Sequence, residues 1–205
     1  MSQDHIVNSH PDRSPNAGSR RSPIAIVGIG CRFPGGARSP QQFWANLCSG
    51  VDGISEVPPD RWNKAQFYDP VSNRPGKSAT CRGGFVEQLE QFDPQFFGIS
   101  PREATRMDPQ QRMLLEVAWE ALEDAGIPWE RIAGSHTSVH VGISSWDFAY
   151  LGLSLQDRGA SNAYSNTGGS LSIASNRISY CLDLRGPSAS VDTACSSALV
   201  SFHLA

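Results

Sequence analysis

A helix with both ends punctuated, at residues 109–125, most constrains how this chain can fold. Asp108 stands at its N-cap, Pro109 takes the first position, and Gly126 ends it. Leu114, Val117, Ala118, Ala121, Leu122 and Ala125 recur at helical spacing as one apolar stripe. A stripe of that width must be buried against another layer. Candidate strands lie on both sides of it. Residues 24–30, Ile-Ala-Ile-Val-Gly-Ile-Gly, form an apolar run bounded by glycine, as expected of a strand covered on both faces of a sheet. Residues 137–144 alternate like a strand. Ser39-Pro40 and Gly50 bracket a helix carrying Phe43, Trp44 and Leu47. Residues 168–182 are rich in small side chains and predict a helix, with Ile173, Ile178 and Leu182 as its larger apolar members. Strands alternating with helices predict an α/β layered fold.

The 205 residues are enough for one domain with a substantial core. Residues 1–22, rich in Ser, Pro, Asn, Asp and Arg, read as a disordered leader or linker, so order is expected from Pro23 onward. Residues 51–97 are dense in Pro, Gly and Asp and predict an irregular excursion with short strands, one of them near residues 84–86. The net charge is −3 and the Lys and Arg residues are scattered, which argues against a nucleic-acid surface or a basic membrane-binding face. Cys31, Cys48, Cys81, Cys181 and Cys195 are odd in number and far apart, so neither a disulfide framework nor a zinc site is indicated. A reducing cytoplasm is the expected compartment. Residues 1–21 lack the apolar core of a signal peptide, and residues 24–27 are too short to span a bilayer. A soluble protein is expected.

Cys195 is the candidate catalytic residue. A β-branched run from Ser188 reaches it through Val191-Asp-Thr-Ala194, and the residues from Ser196 onward read as a helix start. Backbone N–H groups and the helix dipole favour negative charge at such a junction, by about 0.3–2 kcal/mol. That helps a nucleophile but leaves proton transfer to other groups. Ala194, Ser196 and Ser197 leave room around the sulfur, although a lone cysteine beside a core helix is more often an inert small hydrophobe. The α/β-hydrolase elbow places glycine two residues either side of its nucleophile; Thr193 and Ser197 stand there instead. His203 is eight residues on, roughly 12 Å of helical rise, too far to act directly as the base. His136 and His140 share a strand face without a ligand partner and read as structural. Gly28-x-Gly30 has Phe33 where a dinucleotide-binding turn needs its third glycine, so it reads as a structural turn.

From Pro23 to the end the chain resembles a β-ketoacyl synthase of the thiolase superfamily, in the form found in type I modular polyketide synthases. The residues that carry the resemblance occur in order. They are Ile24-Ala-Ile-Val-Gly-Ile-Gly-Cys-Arg-Phe-Pro-Gly35, Val57-Pro-Pro-Asp-Arg-Trp62, Phe92-Asp-Pro-Gln-Phe-Phe-Gly-Ile-Ser-Pro-Arg-Glu103 and Met107-Asp-Pro-Gln-Gln-Arg-Met-Leu-Leu-Glu116. Asn176-Arg-Ile-Ser-Tyr180 and Gly186-Pro-Ser188 then lead into Asp192-Thr-Ala-Cys-Ser-Ser197, which matches the family's nucleophile motif. The resemblance implies the N-terminal half of a thiolase-like layered α/β/α fold, ending after the nucleophile turn. It divides the chain into the leader 1–22 and the N-terminal part of a synthase domain, 23–205.

The resemblance also implies an acyltransferase activity, the decarboxylative Claisen condensation. Cys195 would accept an acyl chain and a malonyl-type extender would attack it, in polyketide or fatty-acid-like biosynthesis. By the same resemblance no cofactor would be bound directly, substrates would arrive on the phosphopantetheine arm of an acyl carrier protein, and the full domain would be a homodimer. The family's two catalytic histidine motifs, H-G-T-G-T and N-I-G-H, do not occur in these residues, and the apolar end of the last helix lacks a stop signal. The chain is therefore expected to be part of a synthase domain and inactive in condensation by itself. Two other readings remain open at this point: a cysteine hydrolase acting on thioesters, and a non-catalytic dimerisation piece.

Overall fold

Helix starts in this chain are set by side chains that reach the first free N–H groups. Ser39 Oγ accepts from Gln42 N at 3.2 Å and Asp108 Oδ1 from Gln110 N at 2.8 Å, each followed by a proline. Gly50 and Gly126, with φ of 63° each, stop the same two helices in the left-handed region. The computed structural model describes residues 23–71, 74–152 and 163–205; the expected leader lies outside them. Its elements are α1 (Pro40–Cys48), β1 (Ile54–Glu56), α2 (Lys64–Phe67), β2 (Arg82–Gly84), α3 (Pro101–Ala104), α4 (Pro109–Asp124), β3 (Val139–Gly142), α5 (Asp147–Gly152), α6 (Ala163–Gly169), α7 (Ser172–Cys181), β4 (Ser188–Val191) and α8 (Ser197–Leu204). Short 3-10 turns occupy Trp129–Arg131 and Ala194–Ser196.

β3 and β4 pair in parallel, from Val139 opposite Ser188 to Gly142 opposite Val191. The pleat decides which helix covers which face. Ser179 Oγ of α7 donates to Ser188 Oγ at 2.9 Å, and Ser190 Oγ donates to Ser175 Oγ at 3.1 Å. Ser188, Ser190 and their partners Val139 and Val141 therefore face α7. Gly142 points the other way, where an added Cβ would lie 2.6 Å from Ala198 N in α8. Helices α7 and α8 thus sandwich the strand pair, and α4 packs beside α7. The core between them is built from Met107, Leu115, Val141, Ile143, Ala174, Ile178, Leu182 and Leu184, with Met107 fully buried and Leu115 2% exposed.

Three expectations change on the structure. The first is the strand over residues 24–30, which pairs with no strand among the described residues. Ile24 is 91% exposed and Ile26, Val27 and Ile29 are exposed too. A strand needs a ladder partner, and the backbone bond found here goes to a side chain, Ile29 N to Asp124 Oδ2 at 2.9 Å. The segment still lies close on α4. A Cβ at Gly28 would fall 2.1 Å from Ala121 O, and one at Gly30 would fall 2.4 Å from Val117 O. These glycines are there for backbone contact with a helix, not for a turn. Second, the α4 stripe is two faces: Val117, Ala121 and Ala125 meet the glycine segment, whereas Gln111, Leu115, Ala118 and Leu122 turn to the core. Third, the helix expected over 168–182 is broken. α6 ends at Gly169 and α7 begins at Ser172, because Gln111 Nε2 takes up the carbonyls of Thr167, Gly168 and Ser170 at 3.1–3.2 Å.

The excursion is irregular as expected, with β1 and β2 forming a small antiparallel pair in register Ile54 opposite Gly84. Arg32 fixes the end of the N-terminal segment to α4 through two 2.5 Å bonds to Glu120. Glu116 lies 3.9 Å from the same guanidinium, yet burial holds its carboxyl above the usual range. A carboxyl raised in the folded state stabilises fully below its unfolded pKa, about 4.3, and loses that contribution as pH rises through the folded value. Glu116→Gln is therefore expected to raise stability at pH 7 by up to about 1 kcal/mol, a gain that shrinks towards pH 4. Urea unfolding midpoints at the two pH values check this.

Candidate active site

The strand β4 delivers the chain to Cys195 and short polar side chains hold the turn there. Asp192 Oδ1 accepts from Ala194 N at 3.0 Å, and Ser196 Oγ donates to Thr193 O at 2.9 Å. Ser197, at the first position of α8, accepts from Thr193 N at 2.9 Å and donates to Ala194 O at 2.7 Å. Within this frame Ala194 takes φ of 54°. A side chain in the left-handed region costs about 1–2 kcal/mol, so surrounding bonds must impose it. The result is a sharp change of direction that leaves Cys195 exposed at the start of α8. None of the bonds that close the turn uses the Cys195 N–H.

Gly142 sets how closely α8 approaches the sheet. A Cβ there would lie 2.6–2.7 Å from Ser197 C, Ser197 O and Ala198 N, all backbone atoms unable to step aside singly. Gly142→Ala is expected to push the first turn of α8 off the sheet, costing about 1–3 kcal/mol and displacing Cys195. A lowered urea unfolding midpoint would be the signature.

Cys31, Cys48 and Cys181 lack this setting. Cys31 and Cys181 are buried or partly so, and burial pushes both thiols up. Cys48 is exposed but ends α1, where the helix dipole opposes an anion. His140 lies in β3, and His136 and His203 are exposed; the structure brings none of them into a hydrogen bond with Cys195. Among the described residues no three His, Cys, Asp or Glu side chains converge as metal ligands. A cleft of about 420 Å³ beside α4, lined by Arg112, Glu116 and Trp119 among others, does not include the Cys195 turn. Reading the sequence picked out Cys195 but not the supporting roles of Gly142, Asp192 and Ser197. Ser197 stood out there only as a small residue beside the sulfur, and Asp192 only as part of the motif.

The model of the β-ketoacyl synthase N-terminal domain matches residues 21–205. The chain belongs to the β-ketoacyl synthase family. The chain is 54% identical over 183 residues to one of the phenolphthiocerol/phthiocerol polyketide synthase proteins of Mycobacterium tuberculosis, covering 89% of this chain and 10% of that one. It is likewise 54% identical over 184 residues to another protein of the same polyketide synthase in that organism, 89% of this chain and 12% of the relative. Among solved structures it is similar to the oxazolomycin ketosynthase domain of Streptomyces albus, with a TM-score of 0.79 and 40% identity over 88% of this chain and 30% of the other. It is also similar to the module 6 ketosynthase of the bacillaene synthase of Bacillus subtilis 168, with a TM-score of 0.72 and 37% identity over 88% and 28%. The chain thus spans about a tenth of the curated relatives' length and under a third of the solved ketosynthases. Its fold is the thiolase-like α/β arrangement that the sequence resemblance implied. Among the described residues no helix is long and apolar enough to cross a membrane.

Proposed function

We propose that residues 23–205 are the N-terminal part of a polyketide-synthase ketosynthase domain in which Cys195 is the acyl-accepting nucleophile. The observation that carries this reading is the exposed cysteine on a held strand-to-helix turn, inside a chain that matches the synthase family along its described length. The Cys195 sulfur attacks an acyl thioester on the phosphopantetheine arm of a carrier protein. The new C–S bond forms as the old one breaks, and the pantetheine thiol leaves with the proton that Cys195 gave up. A malonyl-type extender on a second carrier then loses CO₂. The electron pair of the broken C–C bond attacks the acyl carbonyl, and the Cys195 thiol is released with a proton. The chain grows by two backbone carbons. Thiol-to-thioester exchange is nearly balanced, which suits a thiol better than a hydroxyl. The Cys195 N–H at the head of α8 is a local donor for the oxyanion. Two histidines from the remainder of such a domain would stabilise the enolate. The full domain would act in the cytoplasm as a homodimer.

The test is to incubate the full-length synthase with an acyl-pantetheine thioester and map the adduct by peptide mass spectrometry. A stable acyl group on Cys195 supports the proposal. A label on another residue, or rapid hydrolytic release with no condensed product, overturns it, the latter in favour of a thioester hydrolase.

A further inference from the structure

We infer that Ser197 is a positioning residue that holds the acyl-accepting turn in its working geometry, an inference that rests on the assignment of Cys195 as nucleophile. Its hydroxyl is used twice. It accepts from Thr193 N at 2.9 Å and donates to Ala194 O at 2.7 Å, so one oxygen bridges the two residues that precede Cys195. The Ser197 backbone N–H also goes to Ala194 O. The residue is only 5% exposed, so its hydroxyl meets both partners from the buried side of a turn whose Thr193 and Ala194 are exposed. Ala194 lies inside this bridge at φ of 54°, a conformation an alanine keeps only when its surroundings over-determine it. The remaining support, Asp192 on Ala194 N and Ser196 on Thr193 O, is exposed. Ser197 is thus the buried member of the frame. Without its hydroxyl the turn is free to leave the left-handed region, and the Cys195 sulfur and N–H move with it. Acyl transfer needs both at fixed positions towards one carbonyl, whereas alkylation by a small reagent needs only an exposed sulfur.

Those two requirements separate positioning from mere folding. In the full-length synthase, Ser197→Ala is expected to slow single-turnover acyl transfer from an acyl-pantetheine thioester to Cys195 by roughly 10–100-fold. Alkylation of Cys195 by iodoacetamide should stay within about threefold of the parent. Adding Ala194→Gly to Ser197→Ala should recover most of the lost transfer rate, because glycine takes positive φ without help. If Ser197→Ala transfers acyl groups at the parent rate, the inference fails. It fails also if transfer and alkylation fall together and glycine at 194 rescues neither, since the hydroxyl then serves only folding. A parent protein that loads at a residue other than Cys195 would instead overturn the functional assignment itself.

Discussion

Replacing Cys195 by alanine in the full-length synthase is expected to abolish covalent acyl loading and cut condensation by at least about 10³-fold. Stability should stay within about 0.5 kcal/mol of the parent, because the side chain is exposed and the bonds that close the turn do not use it. This separation is what makes the experiment decisive. The expected chemistry places a C–S bond on one atom, and alanine removes that atom while the turn keeps its shape. Cys195→Ser should also load poorly, since a hydroxyl without an adjacent base is a weak nucleophile at neutral pH. Intact-protein mass after incubation with an acyl-pantetheine thioester reads loading, and urea unfolding reads stability. Undiminished loading of the alanine variant would remove Cys195 from the mechanism.

Arg177→Ala is expected to destabilise the fold by about 3–5 kcal/mol, a large share of the roughly 5–15 kcal/mol available to an ordinary domain. Arg177 is 9% exposed on α7, with one guanidinium nitrogen 2.6 Å from Glu103 Oε1 and Nε 3.0 Å from Gln111 Oε1. Gln111 Nε2 in turn shares its two hydrogens among three carbonyls at the α6–α7 junction. Alanine would strand the Glu103 carboxylate and the Gln111 oxygen together, loosening α3, α4 and α7 at one point. The cost comes mainly from the charge left behind, so Arg177→Met combined with Glu103→Leu should recover much of the loss. If Arg177→Ala unfolds at the parental urea midpoint, the ion pair carries no stabilising role.

Local punctuation made the helices readable. Ser39-Pro40 with Gly50, and Asp108-Pro109 with Gly126, place the ends of α1 and α4 within a residue of where they fall. The strand-to-helix junction around Cys195 was readable for a related reason, because β-branched residues give way to small ones where α8 starts. Long-range chemistry was not readable. Gln111 is a polar residue on the buried face of α4, placed there by carbonyls more than fifty residues away, so a search for apolar spacing passes over it. Arg177 and Glu103 are separated by 74 positions and carry no local sign of their pairing. Residues 24–30 show the opposite error. Their composition reports how apolar a strand must be to lie inside a sheet, but a ladder depends on a second segment that composition cannot supply.

The paired serines between α7 and β4 act as an index for the turn that carries Cys195. Ser175 with Ser190 and Ser179 with Ser188 match positions four apart on the helix to positions two apart on the strand. Sliding β4 by one residue would swing Ala189 and Val191 towards α7, break both hydroxyl contacts, and carry the thiol about 3.3 Å along the sheet. Such a slip is discouraged at two places at once. The sulfur's position along the strands is therefore dictated by a pair of hydroxyl latches lying well behind it.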